Sequence, residues 1–235
     1  MNTGSEKTAI SSGNVELDSK MGGGLPVHSL ALIEGGSGAG KSVLSQQIIN
    51  GALNDGFKVS LFTSENTVKS LVSQMQSIDM DVLDYLLLGK LKVYPMELSH
   101  LGDMATLRLI DAMKREHDHE MDMVVVDSFT SAVIHTTIKQ RILGFFEESK
   151  RLCADGSTII ITMHDNAVSN DLSAPIQSMC DAHLHLQSAQ DGQKLVKTLE
   201  VAKIRGAASG TGAIVGFDVE PGWGMRVIPI SKARG

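Results

Sequence analysis

The stretch Gly35-Gly36-Ser37-Gly38-Ala39-Gly40-Lys41-Ser42 constrains this chain more than any other, because it matches GxxxxGK[ST] in full. Glycines at these positions let backbone N–H groups wrap closely around a phosphate, and the helix that follows presents the positive end of its dipole. The surroundings agree with this reading. Residues 29–33 form an apolar run of strand length, and residues 41–54 carry apolar side chains at Val43, Leu44, Ile48 and Leu53, a helical spacing. A glycine-rich turn that merely starts a helix is the bland alternative, and the strand-loop-helix context argues against it. The expected ligand is a nucleoside triphosphate, ATP with Mg²⁺. Lys41 would reach the β- and γ-phosphates and the Ser42 hydroxyl would ligate Mg²⁺. Gly36, Ser37, Gly38, Ala39, Gly40 and Val43 would complete the cradle.

Three further carboxylate or imidazole positions follow strand-like runs. Met123-Val124-Val125-Val126-Asp127 is an apolar strand ending in a carboxylate, as a Walker B element requires. An aspartate that merely caps a strand end is common; beside an intact phosphate loop the Mg²⁺ role, through water, is preferred for Asp127. Glu65 follows the run 59–63 and suits a general base that deprotonates water. It equally suits the first turn of a helix, where the dipole favours acids, and both readings stay open. His164 follows the strand 157–163 as a candidate γ-phosphate sensor, against the ordinary alternative of an isolated histidine. Lys203-Ile204-Arg205-Gly206 puts two cations on one side of an edge strand, out of reach of their own loop but suited to a neighbour's nucleotide. A solvated basic strand end accounts for the spacing equally well.

The rest of the chain reads as short apolar strands alternating with helices at 67–77, 81–88, 104–116 and 137–154, then strands at 183–186, 195–202, 213–219 and 225–230 joined by short turns. This predicts an α/β fold whose mostly parallel central sheet is flanked by helices, with antiparallel strands extending one edge at the C-terminal end. With 235 residues and 42% hydrophobic composition, one domain over residues 1–235 is expected, residues 1–14 forming a flexible leader. Two cysteines 27 positions apart make neither a disulfide framework nor a metal pair, which suits a cytoplasmic setting. No apolar run approaches the ~20 residues of a membrane helix. The net charge of −6 disfavours nucleic acid as a partner. The two segments where DNA-binding loops would lie, 129–140 and 165–176, carry Lys139 alone and no Lys or Arg respectively. A small-molecule kinase would need a cationic lid, and none is evident.

In this order Leu17-Asp18 followed by Met21-Gly22-Gly23-Gly24-Leu25-Pro26, the phosphate loop, Val126-Asp127-Ser128 and Lys203-Ile204-Arg205-Gly206 resemble the RecA superfamily, and within it the single-domain KaiC-like ATPases. The resemblance spans about residues 15–230 and is narrowest toward the archaellum-motor branch, FlaH (ArlH), on the helix opening Gly40-Lys41-Ser42-Val43-Leu44-Ser45-Gln46-Gln47. It implies a cytoplasmic RecA-like ATP-binding component that forms a homo-oligomeric ring such as a hexamer, meets the membrane only through partners, and regulates the motor ATPase FlaI. Lys41, Ser42 and Asp127 carry over as phosphate, Mg²⁺ and Walker B residues, and Lys203 and Arg205 as the pair used across subunit boundaries. KaiC has two adjacent glutamates after its second strand, whereas Ser64-Glu65-Asn66 offers one, and KaiC has two ATPase units. Slow hydrolysis by a nucleotide-gated switch follows from both differences.

Overall fold

Strands as uniformly apolar as 30–33, 123–126 and 159–161 need cover on both faces, and the observed fold supplies it. The computed structural model describes residues 7–191, 194–207 and 212–228. In chain order its elements are β1 (Ala9–Ile10), α1 (Val15–Lys20), β2 (Leu25–Pro26), β3 (Leu30–Gly35), α2 (Lys41–Asn54), β4 (Val59–Thr63), α3 (Val68–Ser77), α4 (Leu83–Leu87) and β5 (Leu91–Pro95). A 3₁₀ segment (Ser99–Met104) leads into α5 (Ala105–Asp118), β6 (Met123–Asp127), α6 (Thr130–Val133), α7 (Lys139–Ala154), β7 (Thr158–His164) and α8 (Asn170–Met179). The chain closes with β8 (Ala182–Asp191), β9 (Lys194–Ile204), β10 (Ile214–Glu220) and β11 (Gly224–Ile228).

The main sheet has nine strands in the order β11-β10-β9-β8-β3-β7-β6-β4-β5. From β8 to β5 neighbouring strands run parallel; β9, β10 and β11 are added antiparallel beyond β8. Alternate residues of the central strands feed two separate cores. Ala31, Ile33, Val125 and Ile160 join the core under α2, with Leu44 and Ile48. Leu30, Leu32, Val124, Val126 and Ile161 join the core under α5 and α7, where Phe129 stacks on Phe145 at 4.2 Å and meets Phe146 edge-on. The sheet is therefore clamped on both sides, and the C-terminal ends of β3, β4, β6 and β7 form one rigid edge.

The expected α/β architecture, a mostly parallel sheet flanked by helices with an antiparallel C-terminal edge, is what the chain adopts. Three short or interrupted helices escape the sequence reading: α1, α6 and α8. Residues 165–176, the second segment where a DNA-binding loop would lie, enter α8 at Asn170, burying Leu172 and Ile176 one turn apart around an internal Pro175. The leader is tied down from Ala9 onward. Ala9 and Ile10 pair with Pro26 and Leu25, Ile10 is buried, and Asp18 accepts hydrogen bonds from the Ser11 and Ser12 hydroxyls at 2.6 Å each. The last two residues of the expected strand 225–230 lie outside the described residues.

Candidate nucleotide site

The loop between β3 and α2 can turn as it does because Gly38 and Gly40 take positive φ, 72° and 107°. Gly40 also approaches the C-terminal strands closely: a Cβ there would come within 3.2 Å of the Phe217 ring. Lys41, the first residue of α2, is buried and folds back so that Nζ donates to the carbonyls of Gly35 at 2.9 Å and Gly36 at 2.8 Å. Burial pushes its ammonium below the usual lysine range, while the negative charges of Glu65, Asp127 and Asp165 pull the other way. A partly desolvated cation facing a cradle of N–H groups is an anion site.

Beside it stand the ends of three strands. Asp127 closes β6 almost wholly buried, its Oδ1 accepting from Thr162 Oγ1 of β7 at 2.6 Å and from Ser42 Oγ at 3.3 Å. Burial raises the Asp127 carboxyl above the ordinary aspartate range, and the charge of Glu65 adds to this; the Thr162 and Ser42 hydroxyls and Lys41 oppose it. Glu65 follows β4 on an exposed turn, with Oε2 3.5 Å from Ser42 Oγ. Ser42, Asp127 and Glu65 thus present only oxygen atoms at one point, the donor set a hard divalent cation such as Mg²⁺ prefers. Among the described residues no group of three or more His, Cys, Asp or Glu side chains converges to hold a metal by itself. A cation here would rely on phosphate oxygens for part of its shell, as Mg²⁺ does with nucleotides.

Ser37, Gly38, Gly40, Lys41, Ser42 and Val43 line a cavity of about 290 Å³ that Glu65 and His164 share. Gly36 contributes its carbonyl to Lys41, and Ala39 is buried beneath the loop rather than lining the cavity. His164 is fixed by its backbone N–H, which donates to Thr130 Oγ1 at 2.9 Å. The cavity also contains two residues that sequence reasoning missed, Lys197 on β9 and Val219 on β10. A signal existed for the first. Lys197 alternates with Leu199 and Val201 on the buried face of β9, so a cation interrupts an otherwise apolar stripe.

Lys203 and Arg205 are not part of this cavity. Strand register sets Lys203 opposite His183, which pairs with Leu32, three residues before Gly35 on β3. Lys203 Nζ donates to the Gln177 carbonyl at 2.7 Å, and Arg205 donates to the Ser178 carbonyl at 3.1 Å. Both therefore cap the C-terminal end of α8, where the helix dipole favours cations. Burial, together with Arg205, holds the Lys203 ammonium below its usual range.

The profile of the family described as "ATPase: KaiC" matches residues 10–232. The chain belongs to the KaiC family of ATPases. It is 33% identical to the archaeal flagellar ATP-binding protein FlaH of Sulfolobus acidocaldarius over 228 residues, 96% of this chain and 99% of that one. It is 25% identical to the FlaH protein of Methanocaldococcus jannaschii over 215 residues, covering 90% and 91% of the two chains. Among solved structures, the flagellar accessory protein FlaH from Methanocaldococcus jannaschii superposes with a TM-score of 0.79 at 23% identity, covering 95% of this chain and all of that one. A KaiC-like protein from Pyrococcus horikoshii superposes at 0.77 with 21% identity. These two structural matches share the fold of this KaiC-family chain.

Proposed function

We propose that this KaiC-family chain is the ATP-binding regulatory or scaffold component of an archaellum motor, hydrolysing ATP slowly and assembling as a nucleotide-dependent homo-oligomeric ring. One observation carries the reading: a complete phosphate loop meets Ser42, Asp127 and Glu65 at a single point, in a chain 33% identical to an archaeal flagellar ATP-binding protein. Lys41 would exchange its two loop carbonyls for β- and γ-phosphate oxygens, regaining an anionic partner for its partly desolvated charge. Mg²⁺, when bound, would neutralise phosphate charge, held by Ser42 with Asp127 behind it through water. Glu65 is the residue to accept a proton from attacking water, and Lys197 would add positive charge from the same chain.

With one glutamate at this position, exposed on a turn, turnover would be slow and the bound state long-lived enough to be read by a partner. That partner, by resemblance, is the motor ATPase FlaI with other motor components, which would place this protein in the cytoplasm at the membrane-embedded motor. Among the described residues no helix is long and apolar enough to cross a membrane, so membrane contact would come through partners. The chain would act as a single domain. Lys203 and Arg205 would serve a neighbour's nucleotide only by releasing the α8 carbonyls they now cap. Nucleic acid is not an expected partner. The one cation of the first candidate loop, Lys139, is paired with Asp171 at 2.6 Å.

The test is light scattering after size-exclusion chromatography without nucleotide, with ADP and with ATP–Mg²⁺, with phosphate release recorded on each sample. Wild type should enlarge with ATP and release phosphate slowly. Lys41→Ala should lose both, and Arg205→Ala should lose assembly. A monomer that hydrolyses ATP rapidly would overturn the regulatory reading.

A further inference from the structure

Glu65 lacks a firm anchor of its own. Its carboxylate is exposed and, among the described residues, has only the 3.5 Å approach of Ser42 to orient it. What holds its backbone is a chain of hydroxyl bonds that crosses three strand ends. The N–H groups of Glu65 and Asn66 both donate to Thr63 Oγ1 at 3.2 Å. The Ser64 N–H donates to the Asp127 carbonyl at 3.0 Å. The Ser64 hydroxyl meets the Ser131 hydroxyl of α6 at 2.7 Å and lies 3.3 Å from both the carbonyl and the N–H of Ser128. Beyond it, the Thr130 N–H donates to Ser128 Oγ at 3.2 Å, and Thr130 Oγ1 receives the His164 N–H at 2.9 Å.

Neither Ser64 nor Ser131 is buried, so water could satisfy either hydroxyl and folding alone does not demand that they pair. The pairing does have a geometric consequence. Ser64 precedes Glu65 directly, and Ser131 lies four residues beyond Asp127, so one hydroxyl–hydroxyl bond fixes the Glu65 turn relative to the segment that follows the Walker B strand. The geometry points to Ser64 as a positioning residue for hydrolysis, acting with Ser131 to set Glu65 against the Asp127 edge. This rests on the reading of Glu65 and the phosphate loop as an ATP-hydrolysing site. A shift of Glu65 by even an ångström would alter the attack geometry while leaving the phosphate loop, which binds the nucleotide, untouched.

The experiment measures ATP affinity by calorimetry and kcat by phosphate release for wild type, Ser64→Ala, Ser131→Ala, the double variant and Ser64→Thr. Each alanine variant should lower kcat about fivefold, the worth of one hydrogen bond, while Kd for ATP stays within about twofold. The double variant should be no slower than Ser64→Ala, because that substitution already removes the bond lost in Ser131→Ala. Ser64→Thr, which keeps a hydroxyl, should recover most of the rate. The inference is overturned if the two losses multiply to about 25-fold, if kcat is unchanged, or if Kd rises as much as kcat falls. A wild type that binds ATP yet releases no phosphate also overturns it and leaves the nucleotide site standing. A wild type that binds no ATP overturns the site as well.

Discussion

Replacing Thr162 with valine removes the bond that most directly supports the buried Asp127 carboxylate while keeping the shape of the side chain. Thr162 is fully buried, Asp127 is 3% exposed, and their oxygens are 2.6 Å apart. A hydrogen bond to a charged acceptor contributes about 1.5–3 kcal/mol, and the added methyl recovers up to about 0.8 kcal/mol of it through apolar burial. Where Asp127 is ionised the variant should thus lose about 1–2 kcal/mol, or roughly 3–6 °C in Tm for a chain of this size. The pH dependence is the sharper signature. Asp127 already has a raised carboxyl pKa, chiefly through burial, so its ionised form costs folding free energy that is absent below the ordinary aspartate value of about 3.9 and complete above the raised folded value. Deleting the Thr162 hydroxyl removes an interaction that opposes this shift, so the pKa rises further. The stability deficit of Thr162→Val should therefore be small at acid pH, grow as pH climbs through the Asp127 titration, and then level off. Urea unfolding of both proteins across that range gives the difference curve, and an Asp127→Asn background should flatten it. A deficit that is the same at every pH would refute the assignment of its cause to the Asp127 charge.

Tyr94 should resist ionisation, since burial, a 2.8 Å hydrogen bond to Glu116 and that residue's charge push its phenol up to about 12. Ultraviolet titration of a Tyr85→Phe variant should show no Tyr94 phenolate at pH 10, and adding Glu116→Gln should bring the midpoint down. Burial likewise pushes the Cys153 and Cys180 thiols up to about 12, so neither should react with a thiol reagent at pH 8 in the folded protein. Both should react once urea unfolds the chain; rapid labelling of native protein would contradict their buried placement. Gly51→Ala should detach the leader, because a Cβ on that face of α2 would lie 2.1 Å from the Ser11 carbonyl oxygen and 2.6 Å from the Gly13 nitrogen. Overpacking against backbone should cost about 1–3 kcal/mol, and limited proteolysis should show earlier cleavage before Asn14 than in wild type.

What the sequence discloses about this chain is whatever is encoded locally. The phosphate loop, the helix from Lys41 to Asn54 and the strand from Val59 to Thr63 all follow from residue spacing within a single window. So does the placement of Glu65, Asp127 and His164 at strand ends, since each directly follows or closes an apolar run. Helix α8 is hidden because Pro175 interrupts its pattern. The Thr162–Asp127 bond spans 35 positions and the Ser64–Ser131 bond 67, and only the order of β4, β6 and β7 in the sheet brings them together. For Lys203 and Arg205 the spacing identifies the residues correctly as two neighbouring cations, but their contacts with the end of α8 depend on how β9 pairs with β8.

That pairing also explains why the sheet departs from a wholly parallel design. A parallel sheet alone leaves the phosphate loop open on the side of β8, with only strand-end carboxylates and Lys41 around it. The antiparallel strands β9 and β10 fold back across that side, so Phe217 packs on Gly40 while Lys197 and Val219 reach the cavity. Gln47, nearly buried on α2, holds the arrangement from below: its amide donates to the Ser12 carbonyl at 3.0 Å and its carbonyl accepts the Met225 N–H at 3.3 Å. Asn14 closes the circuit by donating to the Met225 carbonyl at 2.7 Å. The helix that begins at the phosphate loop is thereby bonded to both the leader and the last strand. Lys203, near the far end of β9, and Arg205 just beyond it lie against the end of α8. The antiparallel edge thus runs from the cavity beside the phosphate loop, at Lys197 and Val219, to Lys203 beside the end of α8.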